Sequence, residues 1–461
     1  MKALAKTAAT LALLGALAGC DDYLTGDDLS GDPNIPPAAT TDQLYHAVVL
    51  AQFVQHTGDL ARHASMFTQQ MAGVGNQLTG RGQYILTEQD LNGAMDAIYL
   101  GGGLYDLREI IRRSDAAQDR RYAGIARVWE AYLMGESASL WGDLPYSEAV
   151  GENQTPKLDP QAEIYAAVQP LLDQAIADLQ SGAGRGPGAV DLIYGGAAAP
   201  WAEVAHTLKA RFYLHWVEAQ AGGAAQAMAQ TACAGDCVAK AHAAAQRGIS
   251  ATANDFRSAQ VNSPNAENLW YQFMFVQRQG QISAGRYLVD LLKERGDPRL
   301  TRYFRPLASG QIVGADPGGA LSSLLSSARG APDFRQPMAT YAETQLILAE
   351  TSWRRGDAAQ ALVHLNAARA AEGLTPPLTG LTGAALLREI MLEKYIAMFQ
   401  NIEAWNDYKR TCLPALRPAR GSEVIGRLLY SNNERNTNPN IPAVSAQPAR
   451  NANDPTPCPA P

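Results

Sequence analysis

From residue 42 onward apolar side chains return every three or four positions, in run after run, and this periodicity predicts a protein built of helices. The runs cover about 42–57, 59–72, 91–113, 118–140, 160–180, 200–220 and 238–249, then 284–295, 338–354, 357–371 and 383–410. They are rich in Ala, Leu, Glu and Arg, which all favour helix. Strand-like alternation is confined to short stretches near Gln83–Leu86 and Gln311–Val313. Between about 250 and 337 the pattern breaks into Gly, Pro, Ser and Asn with scattered aromatics, which predicts an irregular insert. The tail at about 431–461 holds seven Pro and no helical period, which predicts coil wrapped on the surface.

One helix pair is legible residue by residue. Ala342, Leu346, Ala349 and Trp353 fall at i, i+4, i+7 and i+11, a single apolar stripe. Arg355-Gly356-Asp357 then supplies a C-terminal stop and an N-cap. Ala361, Leu365 and Ala368 form the facing stripe, and the alanines allow the two axes to approach closely. This spacing is that of a tetratricopeptide-like hairpin, and the many helices predict several degenerate units. Leu387, Ile390, Met391, Tyr395, Met398 and Ile402 line one side of the next helix and read as core.

The N-terminus follows a different logic. Lys2 and Lys6 precede an apolar stretch from Ala8 to Ala18, and Leu17-Ala18-Gly19-Cys20 ends it. A charged start, a short apolar core and small residues at a cut site describe a secretory signal, here 1–19. The core is shorter than the roughly 20 residues that span a bilayer. The Leu-Ala-Gly-Cys ending resembles the lipobox of bacterial lipoproteins, which implies cleavage before Cys20 and lipidation of that residue. Residues 20–40 hold five Asp and then three Pro, the composition of a solvated tether.

Composition narrows the function. The formal net charge is −7, with no basic run, which argues against nucleic acid as a partner. No later segment is long and apolar enough to span a membrane. Past Cys20 four Cys remain, and in an exported chain an even number invites disulfides. Sequence order suggests Cys233–Cys237 and Cys412–Cys458 among three possible pairings. Metal ligation by Cys233 and Cys237 is the rival and ranks lower, since no His pair has finger-like spacing.

No zinc-protease pair, nucleophile elbow or phosphate loop occurs, so no catalytic residue is assigned and no cofactor is called for. His206 and His215 are nine apart, out of phase on one helix, and read as structural. Gly101-Gly102-Gly103 reads as a kink or a close helix contact. Asp143 and Glu148, in Trp141-Gly-Asp-Leu-Pro-Tyr-Ser-Glu148, form the best-placed acid pair for glycoside chemistry. Asp143 also reads as a turn acceptor for backbone N–H groups, and that reading is preferred. Aromatic residues in irregular segments point to binding of sugar rings. Tyr84, after a Gly-rich loop with Asn76 and Arg81, and Trp270 with Tyr271 are the candidate ligand contacts, though for any one of the central aromatics taken singly the core reading is preferred.

Several segments together resemble the SusD/RagB family of outer-membrane nutrient-binding lipoproteins. They are Trp141-Gly-Asp-Leu-Pro-Tyr-Ser-Glu-Ala149, Asp297-Pro-Arg-Leu300, the helix from Glu343 to Gly356, Glu393-Lys-Tyr395 through Glu403-Ala-Trp405, and Arg427-Leu-Leu-Tyr430 through Glu434 and Asn438-Pro-Asn440. They run in the family's order. The resemblance implies an all-α fold over 41–461 on tetratricopeptide-like units, with a loop-rich face for ligand. It implies a lipid-anchored protein, at the outer membrane and the cell surface, that captures oligomeric nutrients without altering them and sits as a lid on a SusC-like TonB-dependent barrel. Oligosaccharide is the first choice of ligand and peptide the second. Asp21 departs from this placement, because in some Gram-negative bacteria that position retains lipoproteins at the inner membrane. A helical glycoside hydrolase and an envelope-assembly scaffold are the alternative readings.

Overall fold

The computed structural model describes residues 39–223, 225–454 and 457–458; Cys20, the leader and most of the acidic tether lie outside them. The chain separates into two units, 1–43 and 44–461. In the described part of the first, Gln43 N–H donates to Thr40 Oγ1 and Thr40 N–H to Gln43 Oε1. This reciprocal cap starts the first helix.

The helices that follow are α1 (Thr41–Gln52), continued by a π-helical turn (Phe53–Asp59), and α2 (Leu60–Phe67). After strand β1 (Met71–Gly73) come α3 (Asn76–Gly82), α4 (Asn92–Tyr99), α5 (Leu104–Ala116), α6 (Arg120–Trp141) and α7 (Gln161–Gln180). Next are α8 (Ala198–Leu214), α9 (Val217–Gln220), α10 (Gln226–Cys233) and α11 (Cys237–Ala245). The central segment carries β2 (Phe256–Arg257), α12 (Leu269–Tyr271) with a second π turn (Gln272–Gln277), β3 (Ile282–Ala284), α13 (Arg286–Glu294), α14 (Arg299–Tyr303) and β4 (Pro337–Ala339). The chain ends with α15 (Tyr341–Arg354), α16 (Ala358–Ala371), α17 (Gly383–Ala397), α18 (Glu403–Thr411) and α19 (Asn432–Thr437). The fold is all-α, as the periodicity predicts.

The helices pack as successive hairpins, α5 on α6, α6 on α7, α8 on α11 and α15 on α16. The hairpin read from sequence is present. Ala342, Leu346, Ala349, Ala361, Leu365 and Ala368 are buried together, joined by Leu386 and Ile390 of α17. Gly356 has φ +84° and Asp357 accepts from Gln360 N–H at 3.0 Å, so stop and cap act as expected. Close approach is obligatory at Gly135 in α6, where a Cβ would stand 2.2 Å from the Phe212 ring of α8. Gly102, at φ +90°, packs its backbone on Ala47 of α1, so the Gly101–Gly103 run separates α4 from α5 rather than kinking one helix.

Charged groups brace the interior. Arg211 of α8 reaches both carboxylate oxygens of Glu343 on α15 at 2.6 Å, Glu136 of α6 at 2.6 Å and the Met338 carbonyl at 2.7 Å. Arg410 of α18 holds Glu350 of α15 through two 2.6 Å bonds and Asp407 through two more, and Lys394 of α17 donates to Asp407 at 2.8 Å. Arg299, fully buried, joins Asp297 to Glu393 of α17. Such pairs fix geometry more than they add stability, but removing one partner leaves a bare buried charge. Burial pushes the Glu136 carboxyl up to about 8. Burial acts the same way on Glu403, yet His215 and Arg211 outweigh it and hold that carboxyl well below the usual range. The segments that carry the family resemblance are therefore largely these braces.

Several expectations are corrected. Gln83–Leu86 and Gln311–Val313 are not strands. Tyr84 has φ +65°, which breaks any extended run, and Val313 N–H bonds to the Ser323 hydroxyl rather than to a ladder. The strands lie elsewhere, β1 antiparallel to β3 (Met71 opposite Ala284) and β2 to β4 (Phe256 opposite Ala339). The run at 383–410 breaks after Ala397, where Gln400 adopts φ +63°. The Gly-rich segment around Asn76 is helix α3. The tail does not merely wrap the surface: Asn451, Asn453, Asp454 and Cys458 are buried, and Asn451 donates to the Ser139 carbonyl at 2.6 Å. Both suggested disulfides are present, Cys233–Cys237 and Cys412–Cys458.

Candidate functional site

A second hydrophobic core lies under the central segment, built from Met66, Met71, Met274, Ile282, Leu288 and Phe399 among others. It holds up the β1–β3 ladder and the loops beside it. Trp270 belongs to this core, with no exposed surface and no hydrogen-bond partner for its Nε1. A stacking platform needs an open ring face, so the assignment of Trp270 as a ligand contact is corrected: it is a core residue. The Asn268 side chain caps α12 by accepting from Trp270 and Tyr271 N–H, and so turns the Trp270 ring inward.

The other four candidates divide between two places. Asn76 is exposed at the start of α3, and Gly75 N–H before it donates to the Gln281 carbonyl at 3.2 Å. Exposed Arg278 and Gln279 belong to the same turn. Tyr271 is half-buried on that segment, its ring 5.9 Å from Phe275. Arg81, at the other end of α3, pairs with Asp90 at 2.8 Å, and Asp90 also closes a capping box with Thr87. Its charge is spent on holding the turn that presents Tyr84.

Tyr84 lines an open groove of about 500 Å³. One wall is Gln83 to Leu86, and the other is formed by Arg420, Glu423, Ile425, Leu429 and the Pro448-Ala449 edge of the tail. The left-handed backbone at Tyr84 follows directly on α3, its N–H bonding back to the Arg81 carbonyl at 3.0 Å. The ring packs edge-on against Phe67, 6.0 Å away, and its hydroxyl accepts from Ala419 N–H at 3.1 Å. Burial raises its pKa, so it stays a neutral phenol at physiological pH. Ile85 is 46 % exposed at the rim, and Glu423 is held by Arg450. The groove thus offers a fixed aromatic edge, apolar surface and charged groups at the margin, the mixture that suits a sugar ring. Arg420, Glu423 and Ile425 were missed in the sequence; the neighbouring Arg427–Tyr430 motif was the only signal near them.

The acid pair is engaged elsewhere. Asp143 accepts from Gln161 N–H at 2.7 Å, capping the distant α7, while Glu148 accepts from Asn153 Nδ2 at 2.9 Å. The N–H groups of the turn itself go to Asp159, which accepts from Tyr146 and Ser147 at 2.9 and 2.6 Å. So Asp143 is a backbone acceptor, though for a helix rather than for its own turn. His206 is buried and His215 bonds Tyr165 and Glu403, as structural histidines do.

Helical hairpins carrying an open, loop-walled groove define the architectural class. The chain belongs to the SusD-like family, whose model, described as "Starch-binding associating with outer membrane", matches residues 33–430. Its fold is that of solved relatives. A SusD/RagB family protein from Bacteroides thetaiotaomicron is 22 % identical with a TM-score of 0.72, over 89 % of this chain and 97 % of that one. A chitin-binding SusD homolog from Flavobacterium johnsoniae is 18 % identical with a TM-score of 0.72, over 90 % and 97 %. A second Bacteroides thetaiotaomicron SusD-like protein is 19 % identical with a TM-score of 0.71, over 90 % and 97 %. No curated protein matches the sequence. Among the described residues no helix is long and apolar enough to cross a membrane.

Proposed function

We propose that this protein is anchored by lipid at Cys20, captures oligosaccharides at the outer-membrane surface, and hands them unaltered to a SusC-like TonB-dependent barrel. The observation that carries the reading is the groove at Tyr84, an open, half-apolar trough beside an aromatic edge in a chain of this family. A transport lid must release what it binds, and a shallow trough with one aromatic wall suits reversible capture. Asn76 and Tyr271 stand on the neighbouring loop face as contacts for further sugar units, and Arg81 acts by positioning Tyr84. Starch-type and chitin-type oligosaccharides are the first ligands to try, because the family description names starch and one solved relative is described as chitin-binding. Peptide is the second choice. Isothermal titration of the purified chain with maltoheptaose and chitohexaose tests this, alongside chromatography of the recovered glycan. Binding of one of them, recovered intact, supports the reading; cleavage products would replace it with a hydrolase.

A further inference from the structure

A separate pocket of about 260 Å³ opens where the central segment meets α14, α16 and the end of α17. It widens outward into a hollow of about 590 Å³ that shares Thr252, Asp255, Arg257 and Phe334 with it. Neither includes any residue of the Tyr84 groove. A cavity of about 150 Å³ already holds benzene, so the inner pocket has room for one ring-sized group.

Arg329 is the unusual feature of its wall. Its guanidinium carbon stands 4.8 Å from the centre of the Phe334 ring, 5.0 Å from Tyr303 and 5.3 Å from Phe399. Its Nη2 donates to the Phe399 carbonyl at 3.1 Å, whereas its Nε is buried and has no partner. Among the described residues no carboxylate lies within ion-pair distance of it. Arg211, Arg299 and Arg410, by contrast, each meet at least two carboxylates. A half-buried cation with no carboxylate in bonding contact is costly, and aromatic faces return only part of that cost. Burial accordingly lowers the Arg329 pKa. Two of the other charges around the pocket pair with each other. Arg257 gives its Nε and Nη2 to Asp255, whose second oxygen accepts from Tyr341 N–H. Glu372 lines the pocket but stays beyond bonding range of Arg329, and Asp333 belongs to the outer hollow.

We propose that this pocket is a second ligand site, in which Arg329 binds the carboxylate of a ring-bearing acid while Phe334, the one of the three rings that is not buried, packs against the ring and the buried, mutually stacked Tyr303 and Phe399 hold Arg329 in place. A guanidinium fork matches a carboxylate, and the Phe334 ring matches the face of a ring. Two sources share that chemistry, the uronic acid of an acidic glycan and a small aromatic or alicyclic acid.

The test is calorimetric titration of the purified chain with methyl β-D-glucuronide, methyl β-D-glucoside and benzoate. An acid is expected to bind at least tenfold more tightly than the neutral glucoside. Glucuronide binding alone assigns the site to acidic sugars, and benzoate binding assigns it to small organic acids; both support it. Arg329→Gln should weaken the acid at least tenfold, Glu372→Gln should strengthen it severalfold by removing a like charge, and Tyr84→Ala should leave it unchanged. Should Arg329→Gln fail to fold, Glu372→Gln carries the test. Equal affinity for glucuronide and glucoside with no benzoate binding, or acid binding indifferent to Glu372→Gln, overturns the proposal.

Discussion

Trp270 and Tyr84 have the same credentials in sequence, a large aromatic beside a break in helical period, and the structure puts one in the core and the other on a groove wall. What separates them is local. Asn268 caps the short α12 and turns Trp270 inward, while a left-handed residue after α3 turns Tyr84 toward the tail. Neither an N-cap on a three-residue helix nor the partner wall at 420–429 is visible in a single periodic pattern, so half of the aromatic reading was beyond the sequence. Trp270→Ala should therefore cost about 3–5 kcal/mol of stability by opening a core cavity and leave glycan affinity intact. Tyr84→Ala should do the reverse, weakening glycan binding by about 1–3 kcal/mol with a small change in melting temperature. Paired calorimetry and thermal denaturation check both. Among single residues, His56 carries a pH signature. Burial depresses its pKa from 6.5 to about 3, so the unfolded chain takes up a proton that the folded chain refuses. Stability from this residue is lost as pH falls below about 6.5, by about 1.4 kcal/mol per pH unit, until pH approaches 3. His56→Gln should gain on the wild type over that range in urea melts at successive pH values. A constant difference between the two would contradict the assignment.

At the scale of elements the sequence was most readable where periodicity and caps agree. The hairpin α15–α16 follows its stripe, its Gly356 stop and its Asp357 cap, because helix packing needs little beyond those signals. Short pieces fared worse. Strands of two or three residues have no period to detect, and α3 was hidden by glycines that helix propensity disfavours. The buried braces were legible only as motifs. Glu350 shows what they do, taking Arg410, Lys394 and Arg354 from three helices onto one carboxylate. Glu350→Ala should destabilise by about 3–5 kcal/mol, since three cations lose their shared counter-ion. Chemical denaturation measures that loss, and a change under 1 kcal/mol would show that the brace is dispensable.

For the whole molecule, the tail closes the architecture. The Cys412–Cys458 bond fastens the last described residues to the end of α18, and the tail between them supplies one edge of the Tyr84 groove through Pro448 and Ala449. Cross-linking across a long loop limits the unfolded chain, so Cys458→Ala should cost about 2–4 kcal/mol and should also weaken ligand binding by loosening that edge. The even cysteine count past Cys20 and the reading of residues 1–19 as an export signal made the bond readable, whereas the burial of the tail was hidden behind its prolines. Anchoring belongs to this scale too: Cys20→Ser should abolish fatty-acid labelling and release the protein from membranes, and persistent labelling would contradict the lipid assignment. The central claim is that the groove binds an oligosaccharide without altering it, and titration of maltoheptaose and chitohexaose into the wild type and Tyr84→Ala tests it most directly. The account predicts saturable binding of at least one glycan by the wild type, a roughly tenfold loss in the variant with only a small change in melting temperature, and recovery of intact glycan; binding indifferent to Tyr84, or the appearance of shortened glycan, would contradict it.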